Sequence, residues 1–193
     1  MTRTPAGAPA PTPRHGAPVL RALTRAAAMV VVVACATAAM APGASAEATR
    51  FIPWTEAPPP AVVLNDLAGR PTAVADYRGK VVLVSFWATW CEFCREQMLA
   101  MQQLQQRLAG QPFEIVAVNF AESPAKVRHY VKSLSVDFRV VLDPNQDAVR
   151  AWRVRVLPVS FVVGADGRPR YTVLGEFDWA SDEAVSTISQ LLR

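Results

Sequence analysis

Cysteine is scarce in this chain, with three among 193 residues at positions 35, 91 and 94, and histidine is scarcer, with His15 and His129 alone. A structural zinc site takes four ligands, and past residue 46 only Cys91, Cys94 and His129 remain to offer any. No metal site is expected. A disulfide-stapled scaffold is equally poorly supported, because two cysteines three positions apart close a very short loop and short loops gain little from cross-linking. Acidic residues are missing before Glu47. No apolar run reaches the roughly 20 residues of a membrane span. Internal repeats and glycine-rich phosphate loops are absent too, and no cofactor is expected.

What the first 46 residues do contain is a leader pattern. Arg3, Arg14, Arg21 and Arg25 precede an Ala/Val-rich apolar stretch over 26–41, and Ala44-Ser45-Ala46 has the small-x-small form of a signal-peptidase site. Export with cleavage after Ala46 is the lead expectation. Two alternatives stay open, an uncleaved anchor and a lipoprotein acylated at Cys35 in Val32-Val33-Ala34-Cys35. The leader also explains the net charge of +4: taking its four arginines from the 20 Lys+Arg leaves 16 against 16 acidic residues. The remaining 147 residues are therefore balanced, and no nucleic-acid partner is implied. They suffice for one domain folding without structural disulfides. Residues 47–60, with Pro53, Pro58, Pro59 and Pro60, read as an extended spacer, and 61–193 as the domain.

The domain is organised around Phe86-Trp87-Ala88-Thr89-Trp90-Cys91-Glu92-Phe93-Cys94. The β-branched run 80–85 before it predicts a buried strand. After it, Cys94, Met98, Met101, Leu104 and Leu108 step by three or four, the stripe of an amphipathic helix stopped at Gly110. Cys91 thus falls at a helix N-terminus, where unpaired N–H groups and the helix dipole favour a thiolate. Cys94 lies about one turn on, within reach of a mixed disulfide formed at Cys91. This spacing points to a two-thiol redox centre with Cys91 as nucleophile and Cys94 as resolving thiol. In an exported chain a lone close pair is better suited to exchange than to stapling. Glu92 and Phe93 between them would tune it. Phe93 adds a backbone donor near the Cys91 sulfur, whereas the Glu92 carboxylate opposes a second negative charge. Trp90, next to the nucleophile, is a candidate for client docking. Trp87, Trp152 and Trp179 read as core or rim aromatics.

The rest alternates strands and helices. A hairpin is expected from 62–64 and 71–74 around Asn65-Asp66-Leu67-Ala68-Gly69-Arg70. A second buried strand follows at 113–119, then a helix capped by Ser123 with Pro124 first. On that helix His129 points opposite Val127, towards solvent, and no catalytic base is assigned to it. A strand at 138–142 and a short helix at 146–152 come next. The strands 159–163 and 171–174 join through Asp166-Gly167, and Ser181 caps a last helix.

Gly79-Lys80-Val81-Val82-Leu83-Val84 leading into Phe86-Trp87-Ala88-Thr89-Trp90-Cys91 resembles the thioredoxin superfamily, and within it the extracytoplasmic TlpA/ResA-type thiol–disulfide oxidoreductases. The likeness runs from about Ala61 to the C-terminus. It implies an α/β, thioredoxin-like fold with an N-terminal β-hairpin and a central helix–strand insert, here 123–142. It implies that Pro158 is a cis proline beside the cysteines, leaving the Leu157 N–H and C=O to pair with an extended client. It further implies a reductant of exported protein thiols, as in cytochrome c maturation, recharged by a membrane thiol-transferring reductase. The pattern departs from the family at Phe93, where proline is usual, and at Gln97, often glutamate. Thioredoxins themselves carry a buried aspartate where Ser85 stands. Two rival activities fit less well. A peroxiredoxin-type peroxidase has P-x-x-x-[ST]-x-x-C, and no proline stands four residues before Thr89. A copper-binding module on this fold uses C-x-x-x-C with a distant histidine.

Overall fold

The computed structural model describes residues 50–193; the leader expectations, cleavage after Ala46 and acylation at Cys35 included, lie outside the described residues. Eight strands form one mixed sheet: β1 Ile52–Pro53, β2 Val63–Asp66, β3 Pro71–Ala73, β4 Val81–Trp87, β5 Phe113–Phe120, β6 Arg139–Asp143, β7 Val159–Val163 and β8 Pro169–Leu174. Their spatial order is β1-β8-β7-β4-β5-β6-β2-β3. The pairs β4–β5 and β5–β6 are parallel, and the others are antiparallel. Four helices accompany the sheet: α1 Glu92–Arg107, α2 Pro124–Leu134, α3 Asp147–Ala151 and α4 Asp182–Leu191. This is the thioredoxin-like α/β sheet that the sequence resemblance implied.

β4 is the centre, and all seven of its residues are buried. A strand covered on both faces needs apolar side chains in both parities, which Val81-Val82-Leu83-Val84 and Phe86-Trp87 provide. Alternation then divides them. Val81, Leu83 and Trp87 join the core built with Met98, Met101 and Leu104 of α1, Val127 and Val131 of α2 and Ile188 of α4. Val82, Val84 and Phe86 join the opposite core with Ala148, Val149 and Trp152. Ser85 shares the parity of Leu83 and Trp87 and so faces α1. The same rule on β7 sends Ser160 to the α1 side and Phe161 to the other.

The hairpin β2–β3 extends the sheet at the β6 edge rather than standing ahead of it alone. Asp66 fixes it there. Its carboxylate accepts hydrogen bonds from the Ala68 and Arg70 N–H groups, both at 2.9 Å, from Arg70 Nε at 2.8 Å and from Arg139 Nη1 at 2.5 Å. Burial alone would raise its pKa, yet these donors hold it at about 2. The caps are unequal. Ser181 Oγ accepts from the Ala184 N–H, whereas Ser123 stands at the N-cap of α2 without a side-chain capping bond.

The expected spacer differs over residues 51–54, while 55–60 carry no helix or strand. β1 pairs with β8, Ile52 opposite Thr172 and Pro53 opposite Tyr171, and the Trp54 N–H donates to the Arg170 C=O at 2.8 Å. Phe51 is in the core, edge-on to Tyr171, Phe177 and Trp179 at 5.2–5.7 Å between ring centroids. Proline is tolerated here because an edge strand leaves one side unpaired. These contacts come from single aromatics with no periodicity, so no strand pattern announced them. Replacing Phe51 with Ala should therefore cost about 3–5 kcal/mol of unfolding free energy, as for a core aromatic, measured by chemical denaturation of the full chain. A change under about 0.5 kcal/mol, typical of an exposed site, would return residues 51–54 to the status of a spacer.

Candidate active site

The strand-to-helix junction is where the chemistry collects. β4 ends at Trp87, and Cys91 is the N-cap of α1, with φ −85° and ψ 108°. The Cys94 N–H donates to the Cys91 C=O at 3.1 Å, while the N–H groups of Glu92 and Phe93 find no acceptor among the described residues. These are the free first-turn donors of a helix, and the Cys91 side chain makes no capping bond to them in the disulfide. Cys91 and Cys94 form a disulfide, with Cα atoms 5.3 Å apart. Cys94 is 1% exposed and Cys91 7%. Glu92 is exposed beside them.

The loop carrying Cys91 is held by an acid that the sequence reading missed. Glu122, at the end of the segment following β5, accepts hydrogen bonds from the Thr89 N–H at 2.7 Å, Thr89 Oγ1 at 2.6 Å and Asn119 Nδ2 at 2.9 Å, and pairs with Lys126 Nζ at 2.6 Å. Its side chain is nearly buried. Burial would raise its pKa, but Lys126, the two Thr89 donors and Asn119 together bring it down to about 2. Thirty-three positions separate Glu122 from Thr89, so no local spacing announces the contact. The one available signal is topological: Trp87 and Asn119 are in register at the C-terminal ends of parallel neighbours, so the following loops emerge side by side.

Trp90 is 62% exposed and rests edge-on against Phe120, 6.2 Å between centroids. Phe93 is 56% exposed and borders a groove of about 890 Å³ with Val156, Leu157, Pro158, Leu174 and Phe177. The Leu157–Pro158 peptide is cis. Among the described residues no backbone group pairs with the Leu157 N–H or C=O, although the neighbouring Pro158 C=O accepts from the Gly175 N–H at 2.9 Å. Phe93, Leu157 and Pro158 thus share one groove, while Trp90, next to Cys91 in the chain, packs against Phe120. Trp87, Trp152 and Trp179 are buried. His129 is exposed on α2, apart from this constellation.

One turn of α1 after Cys94, a small uncharged polar network joins the helix to β4 and β7. Gln97 Nε2 donates to Ser85 Oγ and to Ser160 Oγ, both at 3.1 Å, and the two hydroxyls are 2.9 Å apart. All three residues are buried, and Gln97 Oε1 has no partner. Among the described residues, no three His, Cys, Asp or Glu side chains come together as a metal site.

A mixed sheet with a cysteine pair at the N-terminus of the helix that follows its central strand defines a thioredoxin-like fold with a disulfide at its strand–helix junction. The particular lineage follows from comparison: the AhpC/TSA family profile matches residues 55–172, and the chain belongs to that family. It is similar to the thiol-disulfide oxidoreductase ResA of Bacillus subtilis, 37% identical over 60% of this chain and 65% of that protein. ResA of Geobacillus thermodenitrificans is 34% identical over 60% and 67%. The chain thus spans about two thirds of the length of these relatives. Among solved structures, a thioredoxin-family thiol:disulfide interchange protein from Chlorobium tepidum superposes with a TM-score of 0.63 at 25% identity, covering 72% of this chain and 99% of that one. A secreted thiol-disulfide isomerase from Corynebacterium glutamicum shares the fold, with a TM-score of 0.63 at 21% identity over 77% and 93%. The TlpA/ResA-type resemblance is borne out.

The Glu122 network gives a pH dependence of defined sign. Its folded pKa lies below the ordinary 4.5, so its contribution is complete above that value and disappears as pH falls through about 2. Glu122→Gln should lower stability at neutral pH by about 1–3 kcal/mol and flatten the decline between pH 5 and 2. Denaturant midpoints of the two proteins across that range check this, and parallel curves would reject it.

Proposed function

We propose that this protein is a thiol–disulfide oxidoreductase that exchanges its Cys91–Cys94 pair with protein clients outside the cytoplasm, as a reductant. The observation that carries the reading is the Cys91–Cys94 disulfide at the N-terminus of α1, with Phe93, between the two cysteines, lining one groove with Leu157 and Pro158. In the reducing direction the Cys91 thiolate attacks one sulfur of a client disulfide. It forms a Cys91–client disulfide and releases the other client sulfur as a thiolate. The Cys94 thiolate then attacks the Cys91 sulfur, the second client thiolate leaves, and the Cys91–Cys94 bond closes. The disulfide seen here corresponds to that end state. The client gains two electrons and, in water, two protons.

An extended client segment would lie along Leu157, pairing with its N–H and C=O as an added strand does. Trp90 and Phe93 would supply contact area, since exposed aromatics next to a reactive centre bury much surface at small entropic cost. Exported thiols such as those of an apocytochrome are the client class that the family resemblance suggests, with a membrane thiol-transferring reductase restoring the dithiol. The leader supports the location. No helix of the described residues is long and apolar enough to cross a membrane.

Trapping tests the exchange. With Cys94→Ser, mixed disulfides between Cys91 and clients should accumulate in the exported fraction. Cys91→Ser should trap none, because Cys94 is the more deeply buried sulfur. Equal trapping by both would remove the role assigned to Cys91. Rapid oxidation of the dithiol by peroxide, or stoichiometric copper binding, in the absence of client exchange would move the protein to the peroxidase or the copper-module reading.

Phe93 should set the potential. Its N–H is a first-turn donor that proline would lack, and an extra donor stabilises the Cys91 thiolate and hence the reduced pair. The exposed Glu92 opposes this, but water and salt screen it. Phe93→Pro should make the disulfide less oxidising by about 10–30 mV, the equivalent of one modest hydrogen bond, and raise the Cys91 pKa. Redox titration and thiolate absorbance measure both. An unchanged or less negative potential would leave Phe93 as docking surface alone.

A further inference from the structure

Gln97 Oε1 is a buried acceptor with no donor, and its position decides what that means. It stands three residues after Cys94 on α1, and Cys94 and Gln97 are 1% and 2% exposed. Residues three apart share one helix face, and helical side chains lean towards the N-terminal turn. The Gln97 amide is thereby directed towards the turn carrying Cys94. Its nitrogen is fully used, since both Nε2 donors are spent on Ser85 and Ser160. That leaves the oxygen fixed in place as an acceptor, unpartnered while the disulfide is closed. An unmet buried acceptor costs free energy, and native proteins keep few of them.

Reduction supplies the missing donor. When the disulfide is reduced by two glutathione molecules, one glutathione disulfide forms and Cys91 and Cys94 each gain a hydrogen. A thiol is a weak but real S–H donor. We propose that Gln97 is a redox-linked positioning residue, whose Oε1 accepts the Cys94 S–H hydrogen bond in the dithiol state and has no partner in the disulfide state. The inference rests on the exchange chemistry proposed above. Its consequence is a bias towards the reduced pair, with Cys94 kept protonated, because an acceptor stabilises S–H and disfavours the thiolate. Nothing charged on the strands beneath competes: β4 and β7 carry no titratable side chain. The charged groups nearby sit outside that layer, with Glu92, Arg95 and Glu96 exposed on α1, Glu122 engaged at Thr89, and Glu176 and Asp178 exposed after β8.

The S–H stretching band reads this contact directly. In the full chain with Cys35→Ser and Cys91→Ser, Cys94 is the sole thiol, and its Raman S–H band should lie at the lowered frequency of a hydrogen-bonded thiol. A free-thiol band in that folded protein would overturn the proposal without any change at Gln97. Adding Gln97→Met, similar in length but with only a weak acceptor, should move the band to the free-thiol position, and Ser85→Ala, which leaves Oε1 in place, should not. In the chain carrying both active-site cysteines, Gln97→Met should shift the glutathione equilibrium towards the disulfide by roughly three- to tenfold, the size of a net hydrogen bond. A purely structural Gln97 would lower the stability of both redox states and leave band and equilibrium unchanged, which would also overturn it. Failure of glutathione to reduce the native pair at all would instead defeat the exchange reading.

Discussion

Two faces of apolar cover on one strand constrain everything around the disulfide. β4 is buried on both sides, each of its large residues contributing on the order of 1.5–3 kcal/mol by leaving water. That double burial fixes which side each residue takes, since slipping the strand by one position would exchange every side chain between the two cores. Ser85 would then leave the Gln97 and Ser160 hydroxyl network for the face of Trp152 and Phe161, where its hydroxyl has no partner. The register with β5 matters as much, for it sets Trp87 beside Asn119 and lets Glu122 reach the Thr89 backbone. A shift of one residue, about 3.3 Å, is more than a hydrogen bond tolerates. The cysteines therefore inherit their placement from apolar contacts that never touch sulfur.

Much of this was legible in the sequence, and the boundary is physical. The buried run at β4 and the stripe Cys94, Met98, Met101, Leu104 of α1 are periodic signals, and together they put Cys91 at a helix start. The structure finds it at the N-cap. The hairpin β2–β3 and the Ser181 cap were likewise written in local turn and cap chemistry. Contacts made by isolated residues across the sheet were not. Phe51 reaches Phe177 and Trp179 over more than 120 positions, and Glu122 reaches Thr89 over 33. Neither carries a period or a motif. Ser85 and Gln97 stood out only as departures from a family pattern. That they meet, with Ser160 as the third member, follows from strand parity on β4 and β7, which requires the sheet order first.

Charge around the disulfide is arranged by depth. Carboxylates lie outside: Glu92 is exposed, and Glu122 is compensated by Lys126, by Asn119 and by both donors of Thr89. The buried polar network that α1 shares with β4 and β7 is neutral, made of Gln97, Ser85 and Ser160. The cost of burying a charge explains the division. An ionised carboxylate on the Ser85 or Gln97 position would have to be desolvated among Leu83, Met98 and Val162, and the surrounding core offers no cation to offset it. An amide and two hydroxyls demand only hydrogen bonds, most of which they make with one another.

That neutrality has a chemical side. A buried carboxylate near a resolving thiol can take its proton; an amide and two hydroxyls cannot do so at ordinary pH. In this protein the proton leaving Cys94 must therefore pass to solvent, to the departing client thiolate or to the Cys91 side of the pair. On the exchange reading, a client thiolate is generated when Cys91 becomes attached to the client, so a proton acceptor arrives with the mixed disulfide. In that order Cys94 need not ionise before the client's sulfur has left, and the buried Gln97, Ser85 and Ser160 offer it no base. With Trp90 and Phe93 exposed and an uncharged buried network on the α1 side of the sheet, the proposed recognition and proton transfer would both fall on the client side of the disulfide.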